Sequence, residues 1–190
     1  MLNLIKQANT LIELGELDKA EAVFKDACSR WPDNTSILTG YARVAMLQRR
    51  WMEALERWRR VQEVLPESPW ASIGQGNALI ELGEFDKAEA VFKDARSRWP
   101  DNSSVLTGYA RVAMLQRRWM EALECWRRVL DVLPDNMHAH LEQVDALIEL
   151  EEFDRAEKLC VAAQAKWLNE LRPFFLHHII VERRRRMHEP

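Results

Sequence analysis

LIELGEFDKAEAVFKDARSRWPDNSSVLTGYARVAMLQRRWMEALECWRRVLDVLPDN, residues 79–136, is a near copy of residues 11–68. Nine of the 58 aligned positions differ, and most changes are mild: Leu17 becomes Phe85, Thr35 becomes Ser103, Ile37 becomes Val105. Leu11 thus recurs as Leu79, and Leu147, Ile148, Glu149 and Leu150 start a weaker third pass at the same spacing again. A fixed period of this kind means a stacked array of small units rather than one globular core.

The period divides in two. Columns recur at half the copy spacing: Ala20, Ala54, Ala88, Ala122 and Ala156; then Phe24, Trp58, Phe92, Trp126 and Cys160; then Ala27, Val61, Ala95, Val129 and Ala163. Pro32, Pro66, Pro100 and Pro134 form a fourth column, which fails at Leu168. Each unit carries two helical patterns, one as in Ser36 to Arg49 and one from near Trp51 to near Leu65. Leu38, Tyr41, Ala42 and Ala45 fall on one face of the first, and Ala54, Trp58 and Val61 on one face of the second. Gly15 and Gly83 mark the turn between paired helices, since glycine tolerates the left-handed conformation that ends a helix. Proline cannot continue a helix, so the fourth column is read as closing each pair. A helix pair this small cannot bury its apolar face alone; stacking on neighbours does that.

This pattern resembles the tetratricopeptide repeat family, helix–turn–helix units of about 34 residues. The resemblance covers residues 1–170 as five units, 1–34, 35–68, 69–102, 103–136 and 137–170, and implies an all-α, right-handed helical-repeat solenoid. There are departures. The column where the family often has Trp holds Leu4, Leu38, Ser72, Leu106 and His140, and the fifth unit lacks its closing Pro. Residues 171–190 are expected to form a C-terminal capping helix and basic tail. Pro173 suits a first turn. Phe174, Phe175, Leu176, Ile179, Ile180 and Val181 supply an apolar stripe toward the last repeat, and Arg183 to Arg186 suit the last turn. The N-terminus shows no comparable cap, which leaves Leu2, Leu4 and Ile5 partly exposed.

Composition narrows the class. An apolar share of 47% with 30% charged residues suits a soluble folded chain, and a net charge of −3 gives no whole-chain case for nucleic acid. Cys28 and Cys125 are replaced by Arg96 and Arg57 in the matching copies. A framework disulfide would persist between copies, so reduced thiols and a cytoplasmic setting are expected. No apolar run reaches membrane-spanning length, and no secretion signal is read at the N-terminus. No phosphate loop, nucleophile elbow or metal-ligand spacing stands out, so neither enzymatic activity nor a cofactor or metal is expected. His138 and His140, and His177 and His178, do not share helix faces. Arg49, Arg50, Arg57, Arg59 and Arg60, with their copies and Arg183 to Arg186, are read as salt-bridged faces, because acidic residues lie one turn away.

In the family resembled, first helices line a concave surface that binds an extended peptide or a partner's helix. The column implied to face it reads Asn9, Arg43, Asn77, Arg111 and Asp145, with Thr39 and Thr107 one turn earlier. An Asn there can donate and accept toward a peptide backbone, and an Arg can hold a carboxylate through two parallel bonds. Gly40 and Gly108 are read as leaving room for a ligand near the backbone, or else as serving close helix packing. Trp70 has no copy in the other units and is the Trp most readily assigned to a ligand, whereas Trp58 and Trp126 sit in core columns. The family's chaperone-tail clamp uses a Lys where this chain has Ile5 or Thr39, so that ligand is not expected. The expected function is a non-catalytic scaffold for a protein or peptide partner, leaning to acidic segments. Self-association through the near-identical copies and chain ends, or service as the recognition part of a larger enzyme, are the alternatives.

Overall fold

The computed structural model describes residues 1–188 as eleven α-helices, with no strand among them. In chain order they are α1 (Leu2–Glu13), α2 (Leu17–Arg30), α3 (Thr35–Leu47), α4 (Trp51–Val64), α5 (Pro69–Glu81), α6 (Phe85–Arg98), α7 (Ser103–Leu115), α8 (Trp119–Val132), α9 (Met137–Glu149), α10 (Phe153–Lys166) and α11 (Arg172–His188). Two compact units divide them: Met1–Trp99 holds α1 to α6, and α7 to α11 follow from Pro100 onward.

Local chemistry explains each boundary. The Asn34 carboxamide oxygen accepts the Ile37 N–H at 3.1 Å. Asn102 accepts from Ser104 and Val105, and Asn136 from Ala139. These side chains satisfy donors that the first helical turn leaves orphaned. Ser68 makes no such bond, and Pro69 opens α5 instead, where a missing N–H costs nothing. The Pro column does not set the helix ends. Helix α10 stops at Lys166, in the same register as α2, α4, α6 and α8, although Leu168 stands in the proline position.

The turn within each pair is left-handed five times over. Gly15 and Gly83 have φ of 75°, as the sequence predicts; Arg49, Arg117 and Glu151 occupy the same column at 59°, 58° and 60°. In every case the following N–H reaches five residues back, as Glu16 to Leu11 at 2.9 Å and Arg118 to Ala113 at 2.8 Å. That double-bonded C-terminal motif needs a left-handed residue, so three side-chain-bearing residues accept the cost.

The small/large/small columns are the core. Ala20, Phe24 and Ala27 bury in the first unit beside Ile37 and Val44, and Ala156, Cys160 and Ala163 in the second beside Leu141, Val144 and Leu147. Gly40 decides between its two readings in favour of helix packing. A Cβ built there would lie 2.3 Å from the Phe24 ring, so its missing side chain admits a neighbouring helix, not a ligand. Helix α5 is thinned twice in this way: the Trp58 ring presses on Gly74 and the Phe92 ring on Gly76.

Helix α11 packs on α9 and α10. The expected apolar stripe splits. Pro173, Leu176 and Ile180 turn inward, while Phe174, Phe175 and Val181 are exposed, because six neighbouring apolar residues cannot share one helical face. Ion pairs fasten α11 as well: Arg172 to Glu142 and Asp145, Arg183 to Glu149, and Arg184 to Asp154 and Glu157. At the other end Leu2 is exposed while Leu4 and Ile5 are half-buried.

Candidate peptide-binding face

In the first unit, α3 packs against both α1 and α5, so equivalent positions recur on neighbouring helices. Asn9 on α1, Thr39 on α3 and Asn77 on α5 are half-buried, Arg43 on α3 is exposed, and Asn77 already has a partner. Arg43 carries no ion pair among the described residues, in contrast to Arg50, Arg57, Arg60 and Arg98 of the same unit. Trp70, at the start of α5, is 59% exposed. In the second unit Thr107 and Arg111 on α7 are half-buried, and Arg111 has a partner. Asp145 lies on α9 but is engaged by Arg172 of α11 at 2.5 Å. Burial pushes its carboxyl above the ordinary range; Arg172 opposes that rise, and nearby Glu142 reinforces it.

The salt-bridged reading of Arg50 and Arg57 holds, with Glu53 one turn away, but the sequence did not show that Glu21 of α2 and Tyr41 of α3 join them in one cluster. Arg57 bonds Glu21 at 2.6 Å, Glu53 at 2.9 Å and the Tyr41 carbonyl at 3.1 Å, and its guanidinium lies 3.6 Å from the Tyr41 ring centroid. Arg50 joins through Glu21 and Glu53. Burial would raise the Glu21 carboxyl, but bonds from Arg50 and Arg57 hold it below its ordinary range. Burial also raises the Cys28 thiol, with Arg57 opposing. The signal was present: the second copy carries Arg96 and Cys125 where the first has Cys28 and Arg57, a reciprocal exchange. With Cys125 in place of Arg57, Tyr109 sinks to 2% exposure and its hydroxyl donates to Glu121.

The remaining candidates are structural. Trp58 and Trp126 are buried with their indole N–H groups unpaired among the described residues, so they are held for size rather than for hydrogen bonding. His138 edges the Trp126 ring, His140 bonds the Pro134 carbonyl, and His177 meets Gln164 and Glu157. The Cys160 thiol donates to the Pro173 carbonyl, and burial raises its pKa to about 11, which keeps it protonated. The three cysteines are free. Among the described residues no group of His, Cys, Asp and Glu could hold a metal, and no helix is long and apolar enough to cross a membrane. The basic stretches are largely paired, as Arg60 with Asp33 and Glu63, Arg118 with Glu121, and Arg184 with Glu157.

Tetratricopeptide repeat families match residues 3–44, 42–103, 73–119 and 109–169. A protein described as a homologue of CTR9 from Arabidopsis thaliana is 33% identical over 103 residues, which cover 54% of this chain and 9% of that protein. A thermophilic repeat protein of Thermus thermophilus superposes with a TM-score of 0.75 at 18% identity, covering 95% of this chain and 98% of its own. YrrB, described as having an unusual peptide-binding site, superposes at 0.70 with 16% identity over 90% of this chain and 89% of its own. The APC/C hetero-tetramer Cut9–Hcn1 gives 0.82 at 10% identity over 96% of this chain and 36% of its own. At such identities the three structures establish the fold alone.

Proposed function

This chain belongs to the tetratricopeptide repeat family, and from that premise we propose that it is a non-catalytic scaffold binding a segment of a partner protein on its first-helix faces. In the first unit Arg43 anchors an acidic group, Asn9 and Asn77 address the backbone, and Thr39 and Trp70 add apolar contact. Arg111 and Thr107 hold the equivalent positions in the second unit, where Arg111 already has a partner. Asp145, held by Arg172, leaves this set. The observation that carries the reading is Arg43: it is exposed and, among the described residues, without a counter-ion in a unit whose other arginines are largely paired. YrrB's described peptide site is in keeping with such a use of the fold. The alternative, self-association, draws support from the outward Phe174 and Phe175 of α11.

Binding of a diverse peptide library to the parent chain and to Arg43→Glu tests the reading. Acidic peptides should bind the parent and be lost by the variant, by roughly tenfold or more if a charge-assisted pair is removed. Selected peptides indifferent to Arg43→Glu sink the acidic anchor. A concentration-dependent sedimentation coefficient abolished by Phe175→Glu would favour self-association instead.

A further inference from the structure

The second unit contains a groove away from the first-helix column. Helix α9 packs against both α8 and α10, and between those two helices lies a space of about 610 Å³. Its apolar lining is Met120 and Leu123 of α8, Leu147 of α9 and Leu159 of α10. Clefts of this volume enclose small ligands or short segments. Gln143, one turn before Leu147, also lines it.

The first unit shows what Gln143 lacks. There the equivalent Gln75 donates to the Gln62 carboxamide oxygen at 3.2 Å, Ser72 donates to the same oxygen at 3.3 Å, and Gln62 donates to the Pro66 carbonyl at 3.0 Å. In the second unit Leu130 replaces Gln62 and His140 replaces Ser72, and His140 turns to Pro134 and Trp167. Gln143 is 7% exposed and its side chain makes no hydrogen bond among the described residues. The Gln143 carboxamide finds neither donor nor acceptor within the described residues and keeps only the limited solvent contact the groove allows, so a segment that supplies both groups gains hydrogen bonds there. The groove's rim is balanced in charge. Glu121 and Arg155 are engaged by Arg118 and Glu152, while Glu124 and Arg127, opposite in sign, carry no ion pair among the described residues.

We propose that this groove is a second binding site, which takes an extended, uncharged segment of a partner protein. One aliphatic side chain sits on Leu123 and Leu159, above the buried Leu147, and a main-chain N–H and C=O of the segment satisfy Gln143. An extended chain offers both groups free, whereas a helix has already paired them internally. A rim without net charge selects against strongly acidic or basic ligands, which separates this site from the Arg43 face.

The test uses the intact chain with labelled Met and Leu methyl groups and short random peptides as probes. Uncharged, aliphatic-containing binders should shift the Met120, Leu123, Leu147 and Leu159 methyl signals. Gln143→Leu, which keeps the volume and removes the carboxamide, should weaken them about tenfold. Leu130→Gln, which supplies Gln143 with an internal partner, should weaken them without deleting Gln143. Arg43→Glu should leave them unchanged. Binders that move these methyl groups yet ignore both Gln143→Leu and Leu130→Gln overturn the assignment, as do helical or strongly charged occupants, or a library in which no peptide shifts the four methyl signals.

Discussion

Helices α5 and α9 hold the same place in their units, each between two second helices, and α4 and α8 are near copies. Yet α5 is thinned by Gly74 and Gly76 beneath the Trp58 and Phe92 rings, whereas α9 carries Glu142 and Val144 at those positions. Around α5 the amide pair Gln62–Gln75 occupies the gap, and the remaining space is about 380 Å³; around α9 the gap is about 610 Å³ and Gln143 is unpaired among the described residues. Helices α4 and α8 differ at three positions, but α10 keeps only Phe153, Asp154, Ala156, Glu157 and Ala163 of α6. Ala90, Val91 and Asp94 beside the α5 gap become Lys158, Leu159 and Ala162, so the middle helix, Leu130 and the α10 face together decide whether a gap is closed or open. Duplication preserves the packing columns, and the divergence of α9, α10 and Leu130 creates the difference in surface chemistry.

The strongest way to break this comparison is Gly76→Val, which imports the α9 residue into α5. Its Cβ would meet the Phe92 ring at 2.4 Å. Overpacking of this kind costs roughly 1–3 kcal/mol, read as a lower urea midpoint by far-UV circular dichroism. An unchanged midpoint would mean that α5 does not depend on the close ring approach.

Next in size is the electrostatic contrast between Glu21 in the first unit and Asp145 in the second. Glu21 is depressed by two arginines, so its folded form binds protons less readily than its unfolded form. Its contribution is present above the ordinary carboxylate range and is lost as pH falls through the folded pKa. Asp145 is raised, so its folded form holds a proton more tightly, and its contribution falls as pH rises from the ordinary range through the folded value. Stability-against-pH difference curves for Glu21→Gln and Asp145→Asn, each relative to the parent, should therefore slope in opposite senses through acid. Arg172→Ala should cost about 1–2 kcal/mol at neutral pH, a figure discounted for its partly exposed pairs. Parallel difference curves would refute the contrast.

The repeat columns made the fold legible, because packing acts at a fixed period and Ala, Phe and Trp recur with it. Turn geometry was half legible. Gly15 and Gly83 announce a left-handed residue, but Arg49, Arg117 and Glu151 adopt the same φ under tertiary constraint, against their own preference. Gly40 stayed open in the sequence because a missing side chain looks alike whether a ligand or a neighbouring ring fills the space. The pairing of Arg50 and Arg57 with Glu53 one turn away was legible, but their reach to Glu21 and Tyr41 and the Arg172–Asp145 pair were not, since these depend on which helix leans on which. Gln143 was hidden for a different reason: its significance lies in Leu130, thirteen residues away, failing to be Gln.

The turn column gives a smaller effect. Gly83 and Glu151 are equivalent positions in the α5–α6 and α9–α10 turns, with φ of 75° and 60°. A left-handed non-glycine residue costs roughly 1–2 kcal/mol, partly offset by the extra unfolded-state freedom of glycine. Glu151→Gly should therefore raise stability, and Gly83→Ala should lower it, each by about 1 kcal/mol, read from the shift in thermal midpoint. No atom crowds Gly83, so any loss there reports backbone strain alone. Equal responses in sign would remove strain as the explanation.

Leu130→Gln is expected to change stability least and to be the most informative about the two gaps. It returns to the second unit the residue that in the first bonds Gln75 and the Pro66 carbonyl. A net hydrogen bond contributes about 0.5–1.5 kcal/mol, and the lost burial of the half-buried Leu130 offsets a comparable amount. The thermal midpoint should hardly move. The side-chain amide protons of Gln143 should respond instead. In the parent they should exchange with water faster than those of Gln75, and in Leu130→Gln the two should become similar. If Gln143 is already as protected as Gln75 in the parent, it has a partner, the α9 gap is closed like the α5 gap, and the contrast between the units disappears with it.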